Sequence, residues 1–175
     1  MKSMHRWSAS LAVVAVIALS SPSILGQASV DGLGDKIAGT YLAVQQDGAQ
    51  VLQIGRDGNL RVVLSIQFTG GGVLGESFSN TLGSWNTTGR RQVTARTVDL
   101  TFQNGNVFFG VAAATFVITF DETFETAIAI SHGAIFPPGV NPFDANANPI
   151  AGSEFSSRFE FHRIPVVEGK NGNHR

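Results

Sequence analysis

An all-β fold, a single eight-stranded antiparallel up-and-down β-barrel, is predicted by three observations on this chain. Beyond residue 28, eight strand-type runs follow one another with almost no helical periodicity. Nearly every connection between them is short and carries a glycine or an Asx residue, as a meander requires. No intervening segment is long enough to serve as a crossover helix, which excludes a parallel sheet.

The elements are expected in the following order. Asp31 to Ala38 is a short lead-in of about one helical turn. The first strand is Thr40 to Gln46, turned by Asp47-Gly48, and the second is Gln50 to Arg56, turned by Asp57-Gly58. Both turns use residues that tolerate positive φ. The third runs from Asn59 to Thr69 and stops at Gly70-Gly71-Gly72, which lacks the helix and lysine of a phosphate loop. Val73 to Thr81 reads as a loop or irregular edge, and Leu82 to Thr88 as the fourth strand. Arg91 to Phe102 and Val107 to Phe120, separated by Asn104-Gly105, are the fifth and sixth. Thr123 to Phe136 is the seventh; a long loop, Pro137 to Pro149, leads to the eighth, Ile150 to Ile164.

Alternation assigns faces. Leu60, Val62, Leu64, Ile66 and Phe68 share one face of the third strand, and Phe155, Ser157, Phe159 and Phe161 one face of the eighth. The sixth is apolar on both faces, so a loop or another subunit should cover its outer side. A homo-oligomer contact through Val107 to Phe120 is the expectation.

Lys2, His5 and Arg6, followed by the apolar run Leu11 to Leu19 and small residues to Ala28, have the pattern of a secretory signal peptide. The expected organisation is thus a leader at 1–28, a barrel domain at 29–165 and a disordered polar tail at 166–175. Cleavage is placed after Ala28, with Gly26 as the alternative. The product is expected to be secreted or periplasmic. Without a single cysteine, neither a disulfide nor a lipid anchor is available, so one core must hold the fold. Loss of the leader removes two of the twelve basic residues and none of the thirteen acidic ones, an acidic balance that excludes nucleic acid as a partner. Stable membrane insertion is not expected. The apolar run is too short to span a bilayer, and a membrane barrel would carry aromatic girdles that Tyr41 and Trp85, the one Tyr and one Trp beyond the leader, cannot supply.

Gly39-Thr40-Tyr41 opens the first strand, and Arg163 closes the eighth on the parity of its phenylalanines. This resembles the lipocalin or calycin arrangement, in which an arginine packs across the aromatic ring of a Gly-x-Trp, with Tyr here in place of Trp. Gly83-Ser84-Trp85, Gly89 and the strand ending in Phe102-Gln103-Asn104-Gly105 are similar to small exported bacterial calycin-like proteins that share the barrel of allene oxide cyclases. The resemblance spans Gly39 to Ile164. It implies the barrel and oligomerisation, and it transfers no catalytic residue.

His132 shares parity with Phe124, Thr126, Ile128, Ile130 and Phe136; if that face is the lumen, it is a candidate general base or ligand-orienting group. Otherwise it is a hydrogen-bonded core or rim histidine. Arg96 shares parity with Val98, Leu100 and Phe102, and an inward guanidinium would need a carboxylate, from the protein or from a ligand. Trp85 and Tyr41 are read as packing at a barrel end or as platforms for a ligand. Tyr41, Trp85, Arg96, Phe124, His132 and Phe159 form the candidate ligand-binding set. No cofactor and no metal is expected: His132, His162 and His174 lack ligand spacing, and the series Asp144, Asn146, Asn148 reaches Phe155 where a calcium loop needs Glu. The function these features favour is an exported barrel binding a small, largely apolar molecule in its lumen. The alternatives are a cyclase or isomerase using His132 or Arg96, and an interaction protein whose barrel is filled.

Overall fold

Around the wall each strand pairs antiparallel with its neighbour, and the last returns to the first, so the sheet closes on itself. The computed structural model describes residues 32–46, 48–104 and 106–166. The leader and, apart from Val166, the polar tail expected from the sequence lie outside the described residues. The elements are α1 (Leu33–Ile37), β1 (Gly39–Gln45), β2 (Gly48–Ile54), β3 (Asn59–Leu64), β4 (Ser77–Phe78), β5 (Thr81–Gly89), β6 (Gln92–Gln103), β7 (Val107–Phe120), β8 (Thr126–Phe136) and β9 (Phe155–Arg163). Going round the wall, the order is β1, β2, β3, β5, β6, β7, β8, β9 and back to β1. The two-residue β4 adds to the far end of β6, in line with β5. The protein is an eight-stranded antiparallel barrel of up-and-down topology.

Three boundaries differ from the sequence reading by three residues or more, each for a local reason. The alternation of the third strand continues to Phe68, yet β3 stops at Leu64. There Ser65 N donates to Ala49 O, and Gln67 and Thr69 N donate to Leu64 and Ile66 O, which turns the chain across the barrel mouth. Phe68 is left 79% exposed. The seventh strand begins at Thr126 because Asp121 organises the turn before it, accepting from the backbone N–H of Glu125 and Thr126 and from the Thr123 hydroxyl. The eighth begins at Phe155 because Ile150 N and the Ser153 hydroxyl instead engage Ile135, completing the edge of β8 beyond its last pair with β9.

One end of the barrel is solid. Tyr41, Leu52, Val62, Trp85, Ile118 and Phe161 are among the buried side chains that fill it, with Ile37 of α1 laid across the bottom. Tyr41 donates its hydroxyl to Ile37 O at 2.9 Å, and Trp85 donates Nε1 to Gly55 O at 3.1 Å, so neither polar tip is orphaned by burial. The Arg163 guanidinium stands 5.4 Å from the Tyr41 ring and donates to Lys36 O at 3.0 Å and to Ala38 O. It thereby ties α1 to the end of β9. Gly39 makes this possible, because a Cβ there would lie 3.1 Å from the guanidinium.

Outside the wall, Phe143 of the 137–154 segment lies 6.0 Å from the Arg96 guanidinium. Arg96 pairs across to Thr115 of β7, and Thr115 to His132 of β8. Ala134, on the outer parity of β8, is only 9% exposed. The long loop thus lies along the outer wall of β6.

Candidate functional site

Above the solid end the lumen opens into a cavity of about 290 Å³. It exists because the inward residues at this level are small. On β7 they are Ala112 and Ala114, on β8 Ser131, and on β9 Ser157, with Thr97, Asp99 and Thr101 on β6 and Thr81 on β5. Larger groups, Leu64, Phe116, Phe155 and Phe159, form the apolar part of the wall. The segment between β3 and β5 crosses the mouth and contributes Ile66, Gly71, Gly72, Val73, Glu76 and Phe78.

That crossing segment is built around its glycines. Gly70 sits at φ 73°, a conformation that disfavours side chains. Gly72 lies directly against Glu76, where an added Cβ would fall 2.0 Å from the carboxyl group. The Glu76 side chain is 3% exposed and accepts from Leu74 N at 2.7 Å, while Gly72 N donates to Glu76 O at 3.0 Å. Gln67, 2% exposed, anchors the segment by donating to Asn80 Oδ1 and accepting from Leu64 N. Gly72→Ala is expected to force the Glu76 carboxyl aside and destabilise the protein by about 2 kcal/mol, the usual range for overpacking. A urea-denaturation midpoint unchanged from the parent would contradict this.

The polar lining has a definite character. Thr81 Oγ1 donates to Asp99 Oδ2 at 3.1 Å, Thr97 Oγ1 to Ala114 O at 3.4 Å, and Thr101 Oγ1 to Gly110 O at 2.9 Å. The threonine protons are therefore directed into the wall, and the oxygen lone pairs remain towards the lumen. Burial pushes the Asp99 carboxyl up to about 6, against the hydrogen bond from Thr81, and the nearby Glu76 carboxylate adds to the rise. Gln50, 4% exposed on the inward parity of β2, keeps its Oε1 buried with no hydrogen-bond partner among the described residues. No Lys, Arg or His is among the described residues lining the cavity.

Of the six residues expected to meet a ligand, Phe159 alone lines this cavity. Tyr41 and Trp85 are buried in the solid end, and Phe124 packs there from the turn before β8, 6.2 Å from the Phe120 ring. Arg96 and His132 require a correction of parity: both are exposed on the outer wall. The inward residues of β6 are Val93, Ala95, Thr97, Asp99 and Thr101; those of β8 include Ala127, Ala129 and Ser131. Beside Asp99 and Ser131 the apolar neighbours face outwards, Leu100 at 46% exposure and Ile130 at 41%. Large rings from β7 and β9 already occupy the lumen, which leaves room for small partners only.

The sequence reading passed over Gln50, Glu76, Thr81 and Asp99. Thr97, Asp99 and Thr101 do alternate, but a polar parity is equally the mark of a solvated outer face. Only the register of β6 against neighbours whose inner face is settled decides between the two.

The fold and site together define a class: a closed meander barrel, packed at one end and hollow, acidic and part-apolar at the other. Compared with known proteins, the chain matches no family model, no curated protein and no solved structure.

Proposed function

We propose that this protein is an exported barrel that binds a small, largely apolar molecule in the hollow end of its lumen. The observation that carries the reading is the cavity of about 290 Å³, walled by Leu64, Phe116, Phe155 and Phe159 and crossed by the 65–76 segment. Its volume suits a compact organic molecule and little more. Export rests on the leader pattern in the first 28 residues. Kinship with the calycin barrels rests on the Gly39, Tyr41 and Arg163 pattern, a packing that any barrel plugged at this end could use. Among the described residues no helix is long and apolar enough to cross a membrane. Arg61, Arg96, Arg158 and Glu160 on outward strand positions are unsuited to contact with lipid tails. The half-buried outer residues Val111, Ala113 and Val117 of β7 keep a homo-oligomer contact among the proposals. Catalysis of a cyclase or isomerase kind has less support, since Arg96 and His132, the residues proposed for it, stand outside the cavity.

The test is binding of a neutral fluorescent probe, N-phenyl-1-naphthylamine, to the purified protein. Ala114→Phe, which puts a ring into the cavity, is expected to weaken binding at least about tenfold. Arg96→Ala and His132→Ala are expected to leave it unchanged. Absence of binding to the parent, or equal binding by Ala114→Phe with its circular dichroism preserved, defeats the proposal.

A further inference from the structure

The polar part of the cavity wall is richer in hydrogen-bond acceptors than in donors, the Gln50 amide nitrogen and the serine hydroxyls being the donors left. Asp99 and Glu76 bring two carboxyl groups, and neither belongs to an ion pair among the described residues. The buried Gln50 Oε1 has no partner. The hydroxyl protons of Thr81, Thr97 and Thr101 are committed to Asp99 and to backbone carbonyls. Ser131 and Ser157 can rotate either way. A buried acceptor without a donor is costly, and two carboxyl groups sharing one enclosed space repel each other when ionised. Both penalties are relieved by one thing, a group that carries several N–H donors and positive charge.

We propose that the ligand of this barrel is a small organic ammonium ion, its charged nitrogen held by Asp99, Glu76 and Gln50 and its apolar body against Phe116, Phe155 and Phe159. This rests on the reading above that the lumen is a binding site. An ammonium presents up to three donors, matching two carboxylates and one carboxamide oxygen. An inorganic cation suits the site less well. Hard divalent ions take six or more oxygens, and more than half of this wall is hydrocarbon. A carboxylate ligand would meet like charge from Asp99 and Glu76, and an uncharged one would leave that charge uncompensated.

The groups that bear on Asp99 titration can be named element by element. Thr81 faces it from β5 and Glu76 from the crossing segment, while its neighbour across β7 is Ala112. No cationic side chain lines the cavity among the described residues. Ligand charge is therefore read by carboxylates alone, and recognition should weaken as acid protonates Asp99.

Calorimetric titration with three chains of equal length, n-hexylammonium, n-hexanol and hexanoate, tests this on the full protein. Near pH 8 the ammonium is expected to bind at least about tenfold more tightly than the alcohol, with hexanoate weakest. The margin should shrink near pH 5. In Asp99→Asn the ammonium should lose that margin while hexanol binds as before; Gln50→Leu should also lower ammonium affinity. Equal affinity for ammonium and alcohol, tightest binding of hexanoate, or an undiminished ammonium margin in Asp99→Asn overturns the charge assignment and leaves the lumen site standing. If hexanol, hexanoate and hexylammonium all fail to bind, the lumen site itself is wrong and the assignment falls with it.

Discussion

Asp99→Asn is expected to make the unliganded protein more stable at neutral pH, by about 2 kcal/mol. A carboxyl raised from 3.8 to about 6 holds more protons in the folded state than in the unfolded one across that interval. Stability from this group is therefore complete below pH 3.8 and is lost as pH rises through about 6. Above about pH 7 the full penalty applies, at most about 3 kcal/mol for a rise of this size. Asparagine avoids the buried charge and can still accept from the Thr81 hydroxyl, so most of that penalty should be recovered. Urea-denaturation curves of the two proteins should nearly coincide near pH 4 and separate steadily towards pH 8. A variant less stable than the parent near pH 8, or a gap independent of pH, would show that Asp99 is compensated in the folded state.

The same result bears on function. A residue whose removal stabilises an empty cavity and weakens binding of a cation there is placed for the ligand rather than for the fold. Glu76 differs, because its carboxyl accepts from Leu74 N and packs on Gly72, so its replacement would disturb the crossing segment as well. Asp99 is the cleaner reporter.

How far the sequence reveals this molecule depends on which end of the barrel is in question. The number, order and pairing of strands follow from turn residues and alternation, since closing a meander needs little else. The phenylalanine parity of β9 is legible because its outer residues, Arg158, Glu160 and His162, are polar. On β6 and β8 the same rule misleads. Leu100 and Ile130 are apolar and outside, Asp99 and Ser131 polar and inside, because alternation records contrast between faces and does not say which face is enclosed. The condition on which Arg96 and His132 would meet a ligand, that their parity faces the lumen, fails for that reason. The crossing segment is hidden more deeply still: Gln67 and Glu76 are buried through loop-to-loop hydrogen bonds that no periodicity encodes. The candidate site was therefore almost illegible, while the scaffold was plain.

Trp85→Ala is expected to give the largest loss of stability of any change considered, about 4 kcal/mol. The indole is 3% exposed in the solid end, and its Nε1 supplies a hydrogen bond to Gly55 O at 3.1 Å. Its backbone N donates to Gly58 O at 2.7 Å, so ring and backbone together clamp the turn between β2 and β3 onto β5. Truncation leaves a void in the solid end beside the cross-strand partner Ala95, among strand residues too constrained to collapse into it, and strips the Gly55 carbonyl of its donor. A loss of this size is a large part of the stability of an ordinary domain, and with no disulfide in the chain nothing covalent offsets it. Trp85→Phe should retain most of the packing and lose about 1–2 kcal/mol, chiefly from the missing N–H. Far-ultraviolet circular dichroism during urea denaturation measures both. The alternative role for Trp85, a platform on which a ligand stacks, predicts the reverse pattern: weaker binding of the neutral probe with little change in the denaturation midpoint. Because the ring lies below the cavity, buried among core side chains, the first pattern is the one the packing demands.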